Sequence, residues 1–87
     1  IPHVGWNQVV IEKDSVLFNK IPNNSDFYFT HSFHFIPKDE SDVIAHTPYC
    51  EKFISVIQKQ HIYGVQFHPE KSSLHGLQLL KNFLEIE

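Results

Sequence analysis

Hydrophobic and aromatic positions alternate most clearly in "FYFTHSFHFI", residues 27–36. Side chains two apart on a strand share a face. Phe27, Phe29, His31, Phe33 and Phe35 therefore fall together, opposite Tyr28, Thr30, Ser32, His34 and Ile36. Neither set is wholly polar, which predicts a strand covered on both faces. Shorter β-branched or apolar runs predict strands over residues 8–11 and 43–46. Two further runs, residues 53–58 and 62–67, flank Lys59-Gln60-His61 and predict an antiparallel hairpin, although the turn lacks the Asn-Gly signal. "NKIPNNSD" and "PKDESD" carry turn chemistry: proline fixes φ, while Asn, Ser and Asp bond their own backbone. Asp14 is placed to cap a helical turn over residues 15–19. A last segment, capped by Ser72 or Ser73, sets Leu74, Leu77, Leu80, Phe83 and Leu84 at helical spacing.

This order predicts an α/β arrangement, a sheet with helix packed on it, from about five strands and one full helix. One helix leaves part of such a sheet bare, and the Phe-rich strand does not read as a wet face. The 87 residues are few for a domain and suffice for one small core. The sequence opens at Ile1 and contains no methionine. Together these features lead us to expect a segment of a longer chain.

Composition narrows the function classes. A net charge of -3 argues against a general nucleic-acid binder, which would carry a basic stripe. No apolar run approaches a membrane span, and no charged and apolar leader pattern opens the chain. The single cysteine excludes an internal disulfide and fits a reducing compartment, so the cytoplasm is expected.

Most candidate chemical groups have an ordinary explanation. Cys50, in "TPYCEKF", lacks flanking glycines, and Glu51 would raise its thiol pKa, so it reads as structural. His31 and His34 stand three apart, on opposite faces of a strand, and neither H-E-x-x-H nor paired cysteines occur, so no metal site is expected. His46 and His61 read as surface or satisfied groups near strand ends, and His75 as solvent-facing. In "PHVGWN", His3 precedes a tight Gly5 turn and the large amphipathic Trp6, a residue type enriched at binding surfaces.

"GVQFHPEKS" stands apart. His68 and Glu70 follow an apolar strand and precede a helix, the place where open α/β sheets collect their sites. Two residues apart in extended backbone, both would point the same way around Pro69. Glu70 could then hold one tautomer of the His68 imidazole while the other ring nitrogen faces a nucleophile.

"GVQFHPEKS" resembles the His–Glu half of the triad of class I glutamine amidotransferases. "PHVGWN", "FYFTHSF" and "GLQLLKNF" narrow the resemblance to the glutaminase subunits of imidazole glycerol phosphate synthases, over nearly the whole chain. The family's fold is flavodoxin-like, with a mixed sheet and flanking helices. The resemblance implies that residues 1–87 are the C-terminal half of one such domain, without the half carrying the nucleophilic cysteine. It implies His68 as base and Glu70 as its orienting partner. Ser32 and Phe33 match the stretch whose backbone holds the substrate glutamine, where members often carry Tyr instead of Phe33. Trp6, Asn7, Tyr28 and Lys71 match positions facing a (β/α)8-barrel cyclase partner.

The implied activity is hydrolysis of glutamine to glutamate and ammonia. The ammonia would pass to the cyclase of a heterodimer serving histidine biosynthesis, with no metal or organic cofactor. The 87 residues alone would be inactive. A paralogous subunit feeding surface-sugar biosynthesis, or a non-catalytic interaction module of the same fold, are the competing readings.

Overall fold

The computed structural model describes residues 3–31, 36–49 and 51–86. The strands are β1 (His3–Ile11), β2 (Ser25–His31), β3 (Val43–Tyr49), β4 (Glu51–Lys59) and β5 (Ile62–Val65), and α1 (Ser73–Leu84) ends the fold. Mostly strands with one C-terminal helix, the chain agrees with the expected class. The strand order is β2-β1-β3-β4-β5, and every pairing among the described residues is antiparallel.

Pairing beyond β5 bends this row back on itself. Phe67 bridges to Phe29 on the far strand, and the His68 N–H donates to the Tyr28 carbonyl at 2.9 Å. Two bulges help the sheet curl. The β3–β4 register skips Ile44 on one strand and Ser55 on the other. Each displaced residue turns its carbonyl to a neighbouring segment: Ile44 accepts from Glu12 N at 2.8 Å and Ser55 from Gln66 N at 2.9 Å. An extra residue increases local twist and bend, which favours closure over a flat sheet.

The concave face holds the core. Phe27, Phe29, Val9, Val56 and Leu17 are almost fully buried, joined by Phe53, Phe67 and Leu79. Phe27 and Phe67 lie 4.4 Å apart between ring centroids, and Phe29 meets Phe53 edge-on at 5.6 Å. Each buried phenylalanine contributes about 1.5–3 kcal/mol, more than a typical net hydrogen bond of about 1 kcal/mol, so apolar closure dominates the curl. Gly5, read from sequence as a turn, lies inside β1 opposite Phe29. Its φ of +136° is the reason for glycine, since no atom crowds the position.

Several local expectations need correction. Among the described residues β2 is covered on one face only: Ser25, Phe27 and Phe29 are buried, while Asp26 and Thr30 are exposed and Tyr28 is half-buried. The curl draws helix and loops to the inside, and no described element crosses the outside. The turn at residues 16–18 is 3-10, and its cap is Ser15, whose hydroxyl accepts from Leu17 N; Asp14 does not cap it. The expected hairpin forms, with Gln60 in the left-handed region at φ 57° and its carbonyl accepting from Gln58 Nε2.

The phase of α1 also differs. Its buried residues are Gly76, Leu79 and Asn82, whereas Leu74, Leu77, Phe83 and Leu84 are exposed. Close approach to the preceding turn favours a residue without a side chain. Asn82 faces inward because it meets backbone carbonyls there.

Candidate functional site

β5 and the segment after it aim the His–Glu pair. Once Phe67 has joined β2, His68 sits extended at the mouth of a 3-10 turn, Pro69–Lys71. Proline suits this first turn position, where its missing N–H has no partner to lose. His68 Nδ1 lies 3.2 Å from Glu70 Oε2. Sequence reasoning placed both in extended backbone; the structure brings them together by the 3-10 turn instead.

The electrostatics suit a base and its orienter. The Glu70 carboxyl is held below its ordinary value, first by its own backbone N–H and then by the His68 side chain. An ionised carboxylate only accepts, so this contact calls for an N–H at Nδ1, and in the neutral imidazole that tautomer leaves the lone pair on Nε2. His68 is about two-fifths exposed and Glu70 three-fifths. The imidazole therefore remains open to a group arriving from outside the described residues.

Ser72 is a residue whose part here was not legible beforehand. Its hydroxyl donates to the His68 carbonyl at 2.6 Å and accepts from Tyr28 N at 2.9 Å. Gly76 is the second. A Cβ there would lie 2.0 Å from the Pro69 carbonyl oxygen and 2.8 Å from the Ser72 Cβ. A glycine inside an otherwise good helical run was the available signal.

The proposed partner-facing residues divide. Trp6 and Tyr28 are cross-strand neighbours on the convex face, edge-to-face at 5.7 Å, with Trp6 53% exposed. Lys71 is exposed at the end of the 3-10 turn. Asn7 is engaged internally: Nδ2 donates to the Pro48 carbonyl at 2.9 Å, and Oδ1 accepts from Gln8 N at 2.8 Å. The first of these bonds bridges β1 and β3 beyond their backbone pairing. Ser32, Phe33, His34 and Cys50 lie outside the described residues.

His3, His46 and His75 are engaged within the structure. His3 is buried, stacked on Tyr49 at 3.8 Å and on Phe29 at 4.8 Å, with Nδ1 3.2 Å from His31 Nε2. His46 pairs with Glu12. His75 is half-buried near Phe27, not solvent-facing as expected. Among the described residues no three His, Cys, Asp or Glu side chains are grouped to hold a metal. No helix there is long and apolar enough to cross a membrane.

The family model for glutamine amidotransferase class-I matches residues 1–86. Over 86 residues the chain is 49% identical to "Imidazole glycerol phosphate synthase subunit HisH" of Moorella thermoacetica, covering 99% of this chain and 41% of that protein. It is 54% identical to the protein of that name in Buchnera aphidicola subsp. Acyrthosiphon pisum, again over 99% of this chain and 43% of that protein. The protein of that name in Methanocaldococcus jannaschii is 50% identical, with 99% and 43% covered. The chain spans about two-fifths of the length of these curated relatives. It belongs to the class I glutamine amidotransferase family.

Proposed function

We propose that these residues are the C-terminal part of a glutaminase subunit that hydrolyses glutamine to glutamate and ammonia. The contact between His68 Nδ1 and the Glu70 carboxylate carries the reading. His68 Nε2 takes the proton of a cysteine thiol supplied by sequence outside these residues. The thiolate attacks the side-chain amide carbon of glutamine. The protonated imidazole then returns the proton to the departing nitrogen, which leaves as ammonia. Water, deprotonated by the same imidazole, hydrolyses the thioester to glutamate and regenerates the thiol.

Ammonia passes to a (β/α)8-barrel cyclase subunit in a heterodimer that makes imidazole glycerol phosphate. The names of the relatives favour this acceptor over a surface-sugar pathway. The Trp6–Tyr28 pair, with Trp6 exposed, and Lys71 form the face offered to the barrel. Ser32 and Phe33 hold the substrate through their main chain. The cytoplasm is the proposed compartment, since a thiol nucleophile works under reducing conditions.

The experiment is His68→Ala in the complete subunit with its barrel partner. Loss of a general base should lower glutamine turnover by about 10²–10⁴-fold. The thermal unfolding midpoint should stay in place, since the side chain is partly exposed. Turnover near the parental rate would exclude His68 as base. The 87 residues alone should hydrolyse no glutamine, and robust activity from them would refute the triad assignment.

A further inference from the structure

We propose that the Ser72 hydroxyl is a positioning group that aims the His68 imidazole, an inference that rests on the glutaminase reading above. Serine just before a helix ordinarily spends its side chain on capping, accepting from an N–H of the first turn. Ser72 holds that position before α1 and makes no such bond. Its hydroxyl is turned away from the helix, toward the segment that bears the base.

The bonds it makes there form a closed arrangement. Ser72 Oγ donates its one proton to the His68 carbonyl at 2.6 Å and accepts from Tyr28 N at 2.9 Å. His68 N donates to the Tyr28 carbonyl at 2.9 Å, and the His68 carbonyl also accepts from Lys71 N at 3.1 Å. Both main-chain polar groups of His68 are thus tied to β2, one directly and one through Ser72. The hydroxyl is nearly fully buried, so water does not compete for these bonds.

The backbone beyond Ser72 is held in a costly shape. Ser73 sits at φ 59°, a left-handed conformation that persists in a non-glycine residue only when its surroundings enforce it. Gly76 packs against the Pro69 carbonyl from the helix side. With the hydroxyl removed, the link from the His68 carbonyl to β2 is lost and only the His68 N–H tie remains. A displacement of about 1 Å at a reacting group costs up to about 10²-fold in rate. Ser72 touches no reacting atom, so its effect acts through His68.

The test is Ser72→Ala and Ser72→Cys in the complete subunit with its barrel partner, beside His68→Ala. For Ser72→Ala we expect kcat for glutamine hydrolysis to fall about tenfold to 10²-fold, with KM within about twofold of the parent. Ser72→Cys, similar in volume with a weaker donor and acceptor, should lose less. A purely architectural role would lower the melting midpoint and leave kcat per folded molecule unchanged. Parental kcat in folded Ser72→Ala, while His68→Ala is inactive, overturns the role of Ser72 alone. Activity in His68→Ala would instead remove the glutaminase reading and this inference with it. Failure of both Ser72 variants to fold would also overturn it, because the hydroxyl would then be holding the domain and not aiming the base.

Discussion

The side-chain amide of Asn82 donates to the Leu17 carbonyl across 2.8 Å, joining residues 65 apart in the chain. The same nitrogen reaches the Asn19 carbonyl at 2.6 Å, and Asn82 Oδ1 accepts from Gln78 Nε2 at 2.8 Å. Asn82 is buried, and the two carbonyls it satisfies belong to the 3-10 turn and to Asn19, which caps it, beside the buried Leu17 and Phe18. Asn82→Ala should destabilise the fold by about 1–3 kcal/mol, the range for stranding a buried polar partner. Asn82→Asp should be worse, because a carboxylate cannot donate and would face two carbonyl oxygens. Chemical denaturation of the three proteins gives the order, and an Asp variant as stable as the parent would refute the donor role.

Gly76→Ala sets two effects against each other. Helix propensity favours alanine by about 1 kcal/mol. The new Cβ, however, would lie 2.0 Å from a backbone oxygen of Pro69, which cannot move without shifting the residue between His68 and Glu70. We expect the clash to win, with a net loss of about 1–3 kcal/mol and a lower kcat in the complete subunit. A stabilised variant with parental kcat would show that the helix and turn need not approach so closely.

Glu70 should titrate below the ordinary carboxylate range, held there by its own backbone N–H and by His68. Between the folded and unfolded midpoints the native chain binds fewer protons than the unfolded one. The resulting stability is therefore present above the ordinary value and lost as pH falls through the depressed midpoint. Solvent exposure keeps it small. Carbon-13 NMR of the carboxyl group should show the low midpoint, with a partial rise in His68→Ala, since the backbone N–H remains. An unchanged midpoint in that variant would mean that the His68–Glu70 bond is not populated in solution.

Lys71→Ala and Trp6→Ala bear on the proposed barrel-facing surface. Both side chains are exposed, but Trp6 also packs on Tyr28, so Lys71→Ala should alter stability by no more than about 0.5 kcal/mol and Trp6→Ala should lower it by about 0.5–1.5 kcal/mol. Partner stimulation of glutamine hydrolysis should nevertheless fall. Full stimulation in both variants would place the contact surface elsewhere.

Much of the strand pattern was legible because it rests on local rules. Alternation marked β2, and the apolar runs around Lys59-Gln60-His61 marked the β4–β5 hairpin, though the left-handed Gln60 carries no glycine signal. The His-Pro-Glu spacing marked the candidate pair, because three consecutive residues hold His68 and Glu70 within reach of each other. Residue type and near neighbours were enough for these features.

Tertiary structure decided the rest, through partners distant in sequence. Helical spacing selected the leucine stripe of α1, yet the buried stripe is Gly76, Leu79 and Asn82, chosen by the Pro69 turn and the Leu17 and Asn19 carbonyls. Ser72 looked like an ordinary cap until Tyr28, 44 residues away, took up its hydroxyl. That meeting depends on the curl that brings Phe67 beside Phe29. The sequence by itself determined which residues could act as base and orienter. Only the closure of the sheet, driven by burial of its aromatic face, decided what holds them in place.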